Sequence, residues 1–400
     1  MFRHTTRRGG LTAASALAGL ALVLTGCSSG SDVQGDEQTE KSAKKEAKAL
    51  AKGRIAVSTP GGISVLDPTT LDVVDQFTTE EFTRLNAAGD GQHVFVTTSK
   101  GFQLLDTATP ALTDAVVPAT AAGHVVRHAD KTVLFDDGTG TTSIFETSDL
   151  AEPTSTYTAP AAHHGVSIVL GDGTLLTTVG DETSRSGAVA MKKDGDDWTE
   201  TASNDACPGI HGEGTAADEA VVFGCEDGAL LYEDGAFEKL DAPDEFGRMG
   251  NAFVSESSPI VVGDYKTDPD AEGYLLNAVA LIDTAKKTLE VVDLPDDVQY
   301  TFRDVARGPD DRAYILSTDG KIHVLEPTTG QLVDEIEVVR PWEGPVEWQD
   351  AHPAITVNGD VAYVTEPATS SVHAVDLTTG EITATTALDA VPNEIAIALG

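Results

Sequence analysis

The chain repeats itself, and a repeat of this length leaves few folds open. Ile55-Ala-Val-Ser precedes Ile63-Ser-Val-Leu-Asp67-Pro-Thr-Thr, and Ala313-Tyr-Ile-Leu precedes Ile322-His-Val-Leu-Glu326-Pro-Thr-Thr-Gly330. Val361-Ala-Tyr-Val, followed by Val372-His-Ala-Val-Asp376-Leu-Thr-Thr-Gly380, shows the same pattern. Each block reads as an apolar strand, a Gly or Asp turn, a second strand ending in an acid, and a Thr-rich turn. Other blocks begin near Val94, Val133, Leu175, Val221 and Ile260, which makes eight. Short β-branched runs broken by Gly and Pro, with no sustained helical periodicity, make the body all-β. Residues 53–400 divided among eight units give roughly 43 residues each, the length of a four-stranded propeller blade. A β-sandwich has no need of eight similar units. The expected fold is therefore a single eight-bladed β-propeller, with seven blades as the alternative count. Every block but the first follows one more strand, near Arg84, His124, His164, His211, Asn251, Arg303 and His352, which would be innermost in its blade. The chain ends on an unused strand, Asn393-Glu-Ile-Ala-Ile-Ala-Leu399, expected to close the first blade and remove the open edges of the ring.

Ahead of this body, Arg3, His4, Arg7 and Arg8 precede a small-residue apolar run, Leu11 to Leu24, the pattern of a secretory signal and too short to span a membrane. It ends in Leu24-Thr25-Gly26-Cys27, which resembles a bacterial lipobox, so residues 1–26 are expected to be removed and Cys27 lipidated. The basic pair leaves open whether export is general or twin-arginine. Residues 27–52 hold almost no large apolar side chain and form a tether that cannot build a core. The reading places the protein outside the cytoplasm, anchored to the cell membrane by lipid, and a monomer. A net charge of −39 argues against nucleic acid as a partner and raises the local concentration of cations. Of three cysteines, Cys27 goes to lipid, and Cys207 and Cys225 are expected to pair in an oxidising compartment. The competing use is as thiolate ligands, because Cys207 and His211 have ligand spacing.

The starts of innermost strands meet at one mouth of a propeller's channel. Histidine occupies four of those starts: His124 in Gly-His-Val-Val-Arg-His, His164 in His-His-Gly, His211 in Ile-His-Gly-Glu and His352 in Asp-Ala-His-Pro. Neutral imidazole is the commonest metal ligand, and zinc takes four N, S or O donors in a tetrahedron. Ligands from separate blades can meet that demand on the axis. Strand alternation adds His128 and Glu213 as a deeper tier, and register at His163-His164 is open, with His164 favoured. Taken singly, each histidine is an ordinary hydrogen-bonded residue; taken together they point to a metal. His93, His323 and His373 fall in second and third strands and are read as packing or solvent residues.

Cys207-Pro-Gly-Ile-His211-Gly-Glu213 with Phe223-Gly-Cys225 resembles the AztD-type zinc metallochaperones. Gly123-His124-Val-Val-Arg-His128 with Leu134-Phe-Asp-Asp-Gly138, His163-His164-Gly165 and Asp350-Ala-His352-Pro353 extend the resemblance over most of the propeller. It implies an exported, non-catalytic propeller that holds Zn2+ and hands it to the solute-binding protein of a zinc ABC importer. Two departures stand out: the expected lipid anchor, and residues 28–52 without a histidine where such proteins carry a His- and Asp-rich segment. The competing readings are a propeller enzyme, either a lyase or a dehydrogenase, and a cell-envelope scaffold without metal. Quinone-dependent propellers repeat a tryptophan motif in each blade, whereas this chain has only Trp198, Trp342 and Trp348.

Overall fold

The protein is described here by a computed structural model covering residues 53–270 and 273–399. The signal segment 1–26, Cys27 and the tether 27–52 lie outside the described residues. Eight antiparallel sheets follow one another in chain order around a ring, seven built on four successive strands and the first on three strands joined by the last of the chain, and this is the eight-bladed β-propeller. One blade adds a short fifth pairing at Gly247–Arg248. Helix is confined, among the described residues, to three single 3-10 turns. The first blade is closed by the end of the chain: Ile395–Ile397 pairs antiparallel with Ile55–Thr59, Ile55 opposite Ile397. The ring therefore has no free inner edge at its seam.

The repeat has a local physical cause. In the turn from third to outer strand, Asp67 Oδ1 accepts the backbone N–H of Thr69 at 2.9 Å and of Thr70 at 3.0 Å. Asp376 does the same for Thr378 and Thr379, at 2.8 and 3.1 Å. The acid satisfies donors that the turn would otherwise leave bare; the backbone bonds hold Asp67 below its ordinary value, and the Thr378 hydroxyl with the backbone bonds does the same for Asp376. Between blades, the inward faces of middle strands interlock. Val262, Val279, Leu281, Tyr300, Val305 and Ile315 form one such cluster, joining the sixth and seventh blades. Full burial of each large side chain contributes about 1.5–3 kcal/mol. Packing of this kind fixes the blades against one another and so fixes what their inner strands present to the channel.

Candidate metal centre

Innermost strands of three consecutive blades begin at or beside the histidines: Ala122–His128, Ser167–Val169 and His211–Thr215. Among the described residues, one group of metal-capable side chains has its donor atoms within 4.8 Å of one another, and it is His124, His164 and His211. The three ring centroids form a nearly equilateral triangle with sides of 5.1, 5.1 and 5.3 Å. His211 is aimed by its surroundings. Gly212 has φ of +64°, and the ladder slips by one residue between His211 and Glu213, so the strand kinks where the imidazole leaves it. A Cβ on Gly212 would also lie 2.5 Å from the Gly250 carbonyl oxygen, so only glycine fits. Behind it, Cys207 and Cys225 are disulfide-bonded, and Gly224, next to Cys225, is the ladder partner of His211.

Hydrogen bonds settle the tautomers. A backbone carbonyl only accepts, so His211 Nδ1, 2.5 Å from Gly250 O, carries the proton. His164 Nδ1 lies 2.6 Å from Asp137 Oδ2 and donates to that carboxylate. The Nε2 lone pairs of both rings are thereby left facing each other at 3.0 Å. Two acceptors at that separation repel unless a cation sits between them. A proton is disfavoured: desolvation, reinforced by His164, Arg185 and Arg248, pushes His211 down to about 3 despite the opposing Gly250 bond. His124 is also driven well below its ordinary value, by desolvation first and then by His211, His164, Arg84 and Arg185. The site excludes protons and offers lone pairs, which is what a borderline-soft divalent ion requires.

These directions set a pH dependence. Three ordinary imidazoles would lose roughly a thousandfold in zinc affinity from pH 7.5 to 5.5, because each must shed a proton below about 6.5. With His124 and His211 already held unprotonated, the expected loss is far smaller than that, measurable by chelator competition at the two pH values. The metal-free fold pays for this at low pH. Folded-state values below the unfolded one mean the unfolded chain binds more protons, so stability present above pH 6.5 is lost as pH falls through the acidic range.

The other expected site residues lie elsewhere. His163 is buried inside its blade, with Nδ1 at 3.0 Å from Ala161 O, Nε2 at 3.0 Å from Thr178 Oγ1, and its ring against Phe135. His128 bonds Glu219 Oε1 at 2.8 Å through Nε2. Together with Arg127 and Glu213, His128 lines a second cavity of about 410 Å³ in which none of the three clustered histidines takes part. Strand alternation placed His128 and Glu213 beneath His124 and His211, but the inner strands carry register slips between Ala122 and Val125, around His124, and between His211 and Glu213, which break the alternation. Desolvation raises Glu213 to about 7, with Arg127 opposing. His352 stands at the start of the eighth blade, away from the three consecutive blades of the cluster, and is not among the converging donors. It is buried, donates from Nδ1 to Asp350 O at 2.7 Å and stacks on Trp342 at 6.2 Å, while its Nε2 has no partner.

Asp137 is the residue that sequence reasoning passed over. It follows the second strand, Lys131–Asp136, within Leu134-Phe-Asp-Asp-Gly138, a motif visible in the sequence, but its contact with His164 crosses from one blade to the next. Gly123 makes room for it, since a Cβ there would come within 2.2 Å of Asp137 Oδ1. Replacing Asp137 with alanine should weaken zinc binding by about 10- to 100-fold while leaving the ring folded, because a metal-binding imidazole loses its orienting carboxylate. Chelator competition alongside circular dichroism checks this. Above the cluster opens a cavity of about 770 Å³, roofed in part by Trp348, which packs edge-on to Phe82 at 5.5 Å and lies under the Arg84 guanidinium at 5.6 Å.

No known protein-family profile matches the chain. It is similar to the zinc chaperone AztD of Citrobacter koseri, 24% identical over 308 residues that cover 74% of this chain and 70% of that one. The solved structure of apo AztD from Citrobacter koseri superposes with a TM-score of 0.70 at 20% identity, covering 86% of this chain and 96% of the other. A second AztD crystal structure from the same organism gives 0.68 with the same coverage. The dihydro-heme d1 dehydrogenase NirN, solved in complex with DHE, shares the fold at 12% identity and a TM-score of 0.60, over 88% of this chain and 76% of its own.

Proposed function

We propose that this homologue of the zinc chaperone AztD is itself a zinc metallochaperone, holding Zn2+ on His124, His164 and His211 at one mouth of the propeller channel. The observation that carries the reading is the pair of Nε2 lone pairs facing each other at 3.0 Å, each ring's proton committed to Asp137 or to the Gly250 carbonyl. That arrangement asks for a cation. Three nitrogen donors leave a fourth position turned toward the open cavity, which suits an ion that must be given up as well as held. Delivery is to the solute-binding protein of a zinc ABC importer. The protein works outside the cytoplasm as a monomer, with residues 1–26 removed, Cys27 lipidated and residues 27–52 serving as the tether. We read it as a carrier and not as an enzyme.

Metal analysis of the full chain purified without chelator tests the reading, with about one zinc per chain expected. Zinc at a hundred times its dissociation constant should stabilise the fold by about 2.7 kcal/mol, seen as a rise in melting temperature. A metal-free preparation that gains no stability from added zinc would sink the proposal. Mixing the zinc-loaded protein with a metal-free zinc-binding solute-binding protein tests delivery, and zinc that stays put would confine the function to storage.

A further inference from the structure

The chain carries a net charge of −39, yet the cavity over the three histidines is lined by Arg84, Arg185, Arg248 and Lys266. Two acids, Glu226 and Asp264, share that lining. Asp264 is engaged by the backbone N–H groups of Gly250 and Asn251, at 2.5 and 2.9 Å, and by the Asn251 side-chain amide at 2.7 Å. Glu226 is ion-paired with Arg248 at 3.7 Å, and Arg84 Nε with Glu394 at 3.4 Å, outside the lining. Nη1 of Arg185 is buried without a hydrogen-bond partner. Arg185 and Arg248 repel each other, and after desolvation this repulsion is the largest influence lowering Arg185, with Glu226 and Asp137 opposing it. Two guanidiniums brought together against their own field, one with an unmet donor, form a receptor for a planar anion.

The same field acts on the metal. Arg84 and Arg185 help to strip the proton from His124, and they oppose a divalent ion at that place for the same reason. A zinc ion on neutral imidazoles adds two positive charges to this cluster, against the carboxylates of Asp137 beside His164 and Glu226 beside Arg248.

We infer that the cavity binds a small dicarboxylate together with zinc, one carboxylate taking the fourth metal position and the other held by Arg185 and Arg248. This rests on the zinc reading above. Zinc and the anion then bind with positive coupling, each tightening the other by the same factor. Release of the anion is a means of loosening the metal without protonating a histidine.

Succinate and acetate, one with two carboxylates and one with a single carboxylate, are the probes, added to the full chain loaded with Co2+ or Zn2+ in a non-coordinating buffer. Succinate should shift the Co2+ absorption bands at lower concentration than acetate and tighten zinc by roughly tenfold. The R185Q/R248Q double variant should lose the preference for succinate while binding metal alone at least as tightly, and R248Q, which keeps one guanidinium, should lose part of it. No effect of succinate, equal effects of the two anions, or a preference surviving in R185Q/R248Q would overturn the inference. A glutamate-rich peptide that shifts the Co2+ bands where succinate does not would overturn it too, by assigning the cavity to a partner's side chain. These outcomes are separate from failure of the zinc reading, which would show as metal binding unchanged when His124 and His211 are both replaced by alanine.

Discussion

A protein in which His124 and His211 are both replaced by alanine should lose zinc binding by roughly ten-thousandfold and keep its fold. Structural zinc sites have apparent binding free energies of about 10–16 kcal/mol, which spread over four donors is about 3 kcal/mol, or about a hundredfold, for each. Two of the three converging donors are removed, and His164 with Asp137 cannot hold the ion alone. The fold should survive because both imidazoles line the open cavity and belong to none of the buried apolar clusters between blades, so neither deletion opens a core cavity. Metal-free melting should be unchanged or slightly higher at pH 5.5, since two groups that resist protonation in the folded state are gone. Chelator competition and thermal melts of the same samples check both halves. Zinc binding that persists would move the site elsewhere, to His128 and Glu213 in the second cavity or to His352 with its unpartnered Nε2.

How much of this was legible follows from what each residue depends on. Strand order, blade count and seam closure were readable because they are set by local signals repeated eight times: acid, Thr-rich turn, β-branched run. That His124, His164 and His211 come close together followed from the same repeat, since all three stand at or beside inner-strand starts. Which side chains meet there depends on geometry that sequence spacing does not encode. His124, His164 and His211 come from neighbouring blades and converge, while His352, at an equivalent start, is drawn to Trp342 and the Asp350 carbonyl. The register slips before Val125 and Glu213 are likewise invisible to a period of two. Arg185 and Arg248 lie in ordinary-looking segments, and nothing near them in sequence shows that two distant cations share a cavity.

Replacing both Cys207 and Cys225 with serine should lower stability by about 3 kcal/mol on the chain-entropy account of an 18-residue separation, and so lower the melting temperature by about 4 °C for a ring of this size. Both cysteines are fully buried in the cluster containing Val166, Leu176, Ile210 and Phe223, so the two hydroxyls also need partners there, making this a lower bound on the loss. The disulfide closes the segment that carries His211, joining the residue four before it to the neighbour of its ladder partner Gly224. Without it the turn from Cys207 to Ile210 gains freedom that must be surrendered when metal binds, and zinc affinity should fall by a modest factor and not vanish. The three imidazoles, Asp137 and the Gly250 carbonyl all remain in place. Two measurements separate this from a ligand role for sulfur: zinc titration of the double serine variant, and Co2+ absorption of the unsubstituted protein, which gives an intense thiolate charge-transfer band only if sulfur binds the ion. Complete loss of zinc from a variant that still melts cooperatively, with such a band in the unsubstituted protein, would show that the thiolates and not the disulfide serve the site.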